Sequence, residues 1–124
     1  MKELHNENGY YMLEVLVGLF LFGLMMMGLA QLGYASMLGN KTSQMMTEAT
    51  ALAQERLEDV KQAGFDGADN LAETEGYGSI SGYELYKRET TVNTIGSGRM
   101  KHVTVTVFWS NDKHSFDLQT ALSQ

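Results

Sequence analysis

Between Glu14 and Lys41 the chain runs for 26 consecutive residues without a charged side chain, dominated by Val, Leu, Phe, Met, Gly and Ala. As a helix that run measures roughly 39 Å, against a bilayer hydrocarbon core of about 30 Å. The sequence therefore predicts a membrane-spanning helix. A secretory signal peptide is the competing reading, and it needs a positively charged start, an apolar run of only about 7 to 15 residues and a small-residue cleavage site beyond that run. This chain opens MKELHNENG, with Lys2 set against Glu3 and Glu7, and Gly9 stands before the apolar run.

With 124 residues in all, what remains after the span is room for one small domain. Nine Lys and Arg against 15 Asp and Glu give a net charge of -6, which offers no electrostatic footprint for nucleic acid, so no nucleic-acid partner is expected. Cysteine and proline are absent, which removes disulfides and thiolate chemistry and leaves a long helix without its strongest breaker. His5, His102 and His114 are scattered, and no G-x-S-x-G, H-E-x-x-H or phosphate-loop motif occurs. No enzyme activity, no cofactor and no metal site are expected. Asp66, Asp69, Glu73 and Glu75 lack the D-x-[DN]-x-[DN]-G spacing of a calcium loop and read as a solvated acidic loop.

Glu14 is what an ordinary anchor leaves unexplained. A carboxylate at the centre of a spanning helix is unfavourable by about 2.5 to 3.5 kcal/mol, and by less near the interface. Two readings follow. Either Glu14 snorkels at the headgroups beside the positive end of the helix dipole, or it has a partner.

The string Gly9-Tyr10-Tyr11-Met12-Leu13-Glu14-Val15-Leu16-Val17 resembles the signature of the type IV pilin superfamily, in which a short polar leader ends in Gly and Glu is the fifth residue of the mature chain. The resemblance implies that a prepilin peptidase cuts between Gly9 and Tyr10 on the cytoplasmic face and methylates the new amine of Tyr10. It also implies that Glu14 pairs with the N-terminal amine of a neighbouring subunit during assembly. The partners implied are other pilins or minor pilins met through the N-terminal helix, the inner-membrane assembly platform and membrane lipid. The location implied is a bacterial inner membrane, single-pass with the C-terminal domain periplasmic, and then a pilus or a periplasmic pseudopilus.

Beyond Lys41 the pattern stays helical, with Met46, Ala49, Ala53, Leu57 and Val60 three or four residues apart, while Glu48, Glu55, Arg56, Glu58 and Lys61 fall largely off that stripe. Gly64 is placed to cap the helix. Gly18, Gly23, Gly28 and Gly33 recur every five residues and so mark no single face; they read either as ordinary membrane-helix glycines or as a helix loose enough to stretch. In the last third, Val103, Val105, Val107 and Trp109 alternate with His102, Thr104, Thr106 and Phe108, and Gly96-Ser97-Gly98 and Asn111-Asp112-Lys113 supply turns. Strands are expected over 83–95, 99–109 and 115–122, one face against the helix and the other mostly wet.

The expected organisation is a leader over 1–9, the membrane or fibre-core half of a helix over 10–40, its amphipathic half over 41–63, a connecting loop over 64–82 and an antiparallel sheet over 83–124. That is an α+β, pilin-like fold: one long N-terminal helix, membrane-spanning in its first half, packed on a small C-terminal antiparallel sheet. The strand region V-T-V-T-V-F-W with F-D-L-Q-T-A-L is similar to the V-type minor pilins. The Ala51-Leu52-Ala53-Gln54-Glu55-Arg56-Leu57-Glu58 stretch has that look too, which it shares with I-type minor pseudopilins of type II secretion. The function implied is a structural minor pilin of a type IV pilus, with a minor pseudopilin as the alternative. From another class comes a membrane-anchored binding module that never polymerises, for which Glu14 is dispensable.

Overall fold

The absence of proline lets one helix run past mid-chain, and a glycine breaks it. The computed structural model describes residues 4–124; Met1, Lys2 and Glu3 of the expected leader lie outside the described residues. Helix α1 extends over Leu4–Gly67, and its one non-helical residue is Gly64, at φ 73 and ψ -172. That left-handed φ is open to glycine and strained for a residue with a Cβ, so the helix breaks where the sequence placed its cap. The chain then passes into a 3-10 turn, Ala68–Leu71.

Four strands follow: β1 (Thr74–Glu75), β2 (Tyr86–Ile95), β3 (Met100–Trp109) and β4 (His114–Ser123). They form an antiparallel sheet in the order β1-β2-β3-β4. Val107 of β3 lies opposite Arg88 of β2 and Phe116 of β4, and this register carries the alternation of β3 across the sheet. β1 was not expected. Two residues are too short to show a period of two, and it lies inside what read as a connecting loop.

The two hairpin turns share a backbone form. Gly96, Ser97 and Gly98 have φ of 65, 60 and 86, and Ser110, Asn111 and Asp112 have φ of 55, 57 and 63. The first turn is flanked by glycines. The second holds three side-chain-bearing residues in the left-handed region, two of them the Asn and Asp that tolerate it best.

The chain divides into two units, one ending at Lys41 and one spanning Thr42–Gln124. The hydrophobic core belongs to the second: Ala49, Leu52, Ala53 and Val60 of α1 pack with Ala68, Tyr86, Val103, Val105, Val107 and Trp109. This is the long helix packed on an antiparallel sheet. Ala49, Ala53 and Val60 of the expected stripe are buried, and the inward face extends from them toward Leu52 and Arg56. Met46 is 49% exposed while Arg56 is 7% exposed, because Leu52 and Arg56 replace Met46 and Leu57 as the inward positions. Leu57 is only partly buried against the core.

Candidate functional site

Among the described residues of the first unit, the apolar side chains from residue 10 to residue 38 are left exposed. Every Tyr, Phe, Leu, Val and Met from residue 10 to residue 38 keeps at least 50% of its surface exposed. Continuous apolar exposure on this scale marks a surface made for lipid or for other protein, not for water. The helix is long and apolar enough to cross a membrane, and it is compatible with a single-pass anchor near the N-terminus.

Gly9, Tyr10 and Glu14 lie together at the start of this exposed stretch of α1. Nothing approaches within 4 Å of the position a Cβ would take on Gly9. Tyr10 is 68% exposed. Tyr10 and Glu14 are four residues apart, so they project from one side of the helix. Among the described residues Glu14 has no hydrogen-bond or ion-pair partner; the four salt bridges all lie in the second unit. Residues 10–40 therefore present one carboxylate beside an aromatic residue at the head of an apolar helix.

The second unit carries a polar arrangement that the sequence reading missed. Three buried cations, Arg56 of α1, Arg88 of β2 and Lys101 of β3, are each met by a carboxylate from the stretch that runs from the 3-10 turn into β1: Glu73, Glu75 and Asp69. Arg56 also donates to the Leu71 carbonyl at 3.0 Å and to the Thr90 hydroxyl at 3.3 Å. Lys101 Nζ donates to Asp69 at 2.7 Å and to the Phe65 carbonyl at 2.6 Å, and it stands 4.4 Å from the centre of the Phe65 ring. The Thr90 amide donates to the Glu73 carbonyl at 2.9 Å, which joins the segment to the edge of β2.

Asp69 and Glu73 of the expected acidic loop are solvated, with side chains 60% and 55% exposed, and Glu75 is half-buried; the sequence did not show that all three are paired. Asp69, Glu73 and Glu75 are the counter-charges of cations drawn inside, and an unpaired cation there is strongly unfavourable. Arg88 lowers the Glu75 pKa below the usual carboxylate range, chiefly through its hydrogen bond. For Arg88 itself burial works against the charge, but the bond to Glu75 and its negative charge outweigh that and raise the pKa. A sequence signal for this existed. Arg88 shares its parity with buried Tyr86 and Thr90, and Lys101 shares its parity with Val103 and Val105, so both had to face the core.

A second clasp holds the β3–β4 turn. The Tyr77 hydroxyl donates to Asp112 Oδ1 and accepts from the Asp112 amide, both at 2.9 Å, while Lys87 Nζ donates to Asp112 Oδ2 at 2.9 Å. Lys87 in turn lies 4.6 Å above the Phe108 ring. His114 is exposed and stacks on Trp109 with 5.7 Å between ring centres. Among the described residues no group of three or more metal-ligating side chains comes together. No family model, curated protein or solved structure matches the chain.

Proposed function

We propose that this chain is a minor pilin, a structural subunit of a bacterial type IV pilus that is inserted in the inner membrane, cleaved by prepilin peptidase between Gly9 and Tyr10, and built into the fibre through its N-terminal helix. The observation that carries this reading is Glu14: the one carboxylate between residues 10 and 40, without a hydrogen-bond or ion-pair partner among the described residues, on a helix whose Tyr, Phe, Leu, Val and Met side chains are exposed. A subunit packed among other such rods brings Glu14 into a low-dielectric core, where it needs a cation. Cleavage after Gly9 frees an amine on Tyr10, one helical turn away in sequence, and the amine of an incoming neighbour is the cation that fits. Processing and assembly are then chemically coupled through Tyr10 and Glu14.

The test compares Glu14→Ala with the wild type in membrane fractions and in sheared fibres. Membrane amounts should be equal, since removing a charge from the head of a span favours insertion, and fibre amounts should fall at least tenfold. Equal incorporation into fibres overturns the proposed role of Glu14. The same chemistry suits the alternative, a minor pseudopilin of type II secretion, which the Ala51 to Glu58 stretch resembles equally. Mass spectrometry of the native assembly that contains the chain separates the two.

A further inference from the structure

We infer that the bilayer takes hold of α1 between Tyr11 and Tyr34, with its midplane near Phe22, and leaves residues 35–40 of the uncharged run outside the hydrocarbon. This rests on the anchor that the proposed function needs, and it names where on that anchor lipid sits.

Two nested pairs of polar groups carry the inference. The strictly apolar part of the run is shorter than the uncharged part: residues 15–30 are 16 positions of Val, Leu, Phe, Met, Gly and Ala only, bounded by Glu14 on one side and Gln31 on the other. Three residues beyond each of these stands a tyrosine, Tyr11 before Glu14 and Tyr34 after Gln31. Both pairs share one centre, midway between Phe22 and Gly23. The tyrosines are roughly 35 Å apart along a helix, which places each ring just outside a hydrocarbon core of about 30 Å. Amphipathic rings gather at that level, with the body in lipid and the hydroxyl in water.

Tyr11 is 66% exposed and Tyr34 is 67% exposed, and neither Tyr34 nor Gln31 has a hydrogen-bond partner among the described residues. Gln31 and Tyr34 are three residues apart and project from neighbouring positions on one side of the helix. If the bilayer were centred on the whole uncharged run, its midplane would fall between Met27 and Gly28. Gln31 would then lie roughly 5 Å from the midplane and Tyr34 roughly 10 Å, both inside a half-thickness of about 15 Å. Two polar groups without partners would sit in hydrocarbon, which is the unfavourable case. With the midplane near Phe22, Glu14 and Gln31 both lie roughly 13 Å out, within reach of the headgroups by extending their side chains.

The chain has no cysteine, so single-cysteine variants carry a spin label without background. The full chain is reconstituted in dioleoylphosphatidylcholine vesicles with labels at Leu16→Cys, Phe22→Cys, Met27→Cys, Leu29→Cys and Met37→Cys. Depth is read from accessibility to oxygen against a water-soluble nickel complex. The label at residue 22 should be deepest, those at residues 16 and 29 equally deep, and that at residue 37 open to nickel. A maximum at residue 27, with residue 37 shielded, overturns the register while leaving the anchor in place. Nickel access at every position overturns the anchor and the register together. In a Gln31→Leu, Tyr34→Leu background the maximum should move toward residue 27, and a profile that stays put shows that these two side chains do not set the depth. Loss or survival of fibre incorporation does not enter this readout, so the register and the pilin reading fail separately.

Discussion

Arg88 grips both oxygens of Glu75: its Nη2 lies 2.9 Å from Oε1, and its Nε bonds Oε2. Its remaining nitrogen, Nη1, donates to the Leu52 carbonyl of α1 at 3.1 Å. One guanidinium thus joins β2, the connecting segment and the helix, using the fork geometry that lysine lacks. The side chain of Arg88 is 6% exposed and that of Glu75 is 23% exposed, so the pair is largely withdrawn from solvent. Glu75→Ala should destabilise the second unit by about 3 kcal/mol, because it strands a buried cation. Urea denaturation checks this, and a loss below about 0.5 kcal/mol, the scale of an exposed pair, overturns it.

A chain truncated to begin at Thr42 should be soluble and folded, because the whole hydrophobic core lies in that unit. Circular dichroism should show helix and sheet together. Trp109 is buried and should emit at short wavelength. Solvent-like tryptophan emission with helical signal alone contradicts the packing. Stability should be modest, since a domain of this size buries only about 60 to 65% of its chain surface.

Acid should loosen this unit through Glu75. A carboxylate whose folded pKa is held below its ordinary 4.5 contributes stability that is full above that value and lost as pH falls through the folded value. The urea midpoint should therefore hold between pH 7 and pH 5 and drop below about pH 4. Glu75→Gln should start from a lower midpoint and lose less on acidification. An unchanged acid slope in that variant removes Glu75 from the account.

Processing has its own signature. The intact mass of the cell-derived protein should correspond to a chain beginning at Tyr10 with one added methyl group on its amine. Gly9→Leu should leave the leader in place, since the peptidase signature ends in glycine. A wild-type chain that keeps residues 1–9 in cells with an active prepilin peptidase contradicts the pilin reading.

How much of this was legible in the sequence depends on range. The helix end at Gly64 and the inward row Val103, Val105, Val107 and Trp109 are local patterns, set by a glycine conformation and by the two-residue period of a strand. Ala49, Ala53 and Val60 of the helical stripe are inward as their spacing says, while Met46 is half exposed and Leu52 and Arg56 take inward positions that the stripe does not mark. The Arg56 guanidinium is tolerable inside only because Glu73 arrives from 17 residues away, a pairing that no window of periodicity contains. β1 and the acidic partners of Arg88 and Lys101 were hidden for the same reason, although strand parity marks the two cations themselves as inward. The exposed apolar stretch that follows Glu14 was legible because its signal is its own composition.

The two hairpin turns have nearly the same backbone and opposite circumstances. Asp112 is clasped by Tyr77 and Lys87, whereas no side-chain hydrogen bond reaches residues 96–99 among the described residues. An epitope tag or a fluorophore-binding peptide can therefore be spliced between Gly96 and Gly98 with little disturbance, since an exposed glycine-flanked tip tolerates added length. The same insertion at Asn111 would pull Asp112 from its partners and leave three left-handed residues unsupported. For anyone wishing to display cargo on this domain, the β2–β3 tip is the handle and the β3–β4 tip is the part to leave alone.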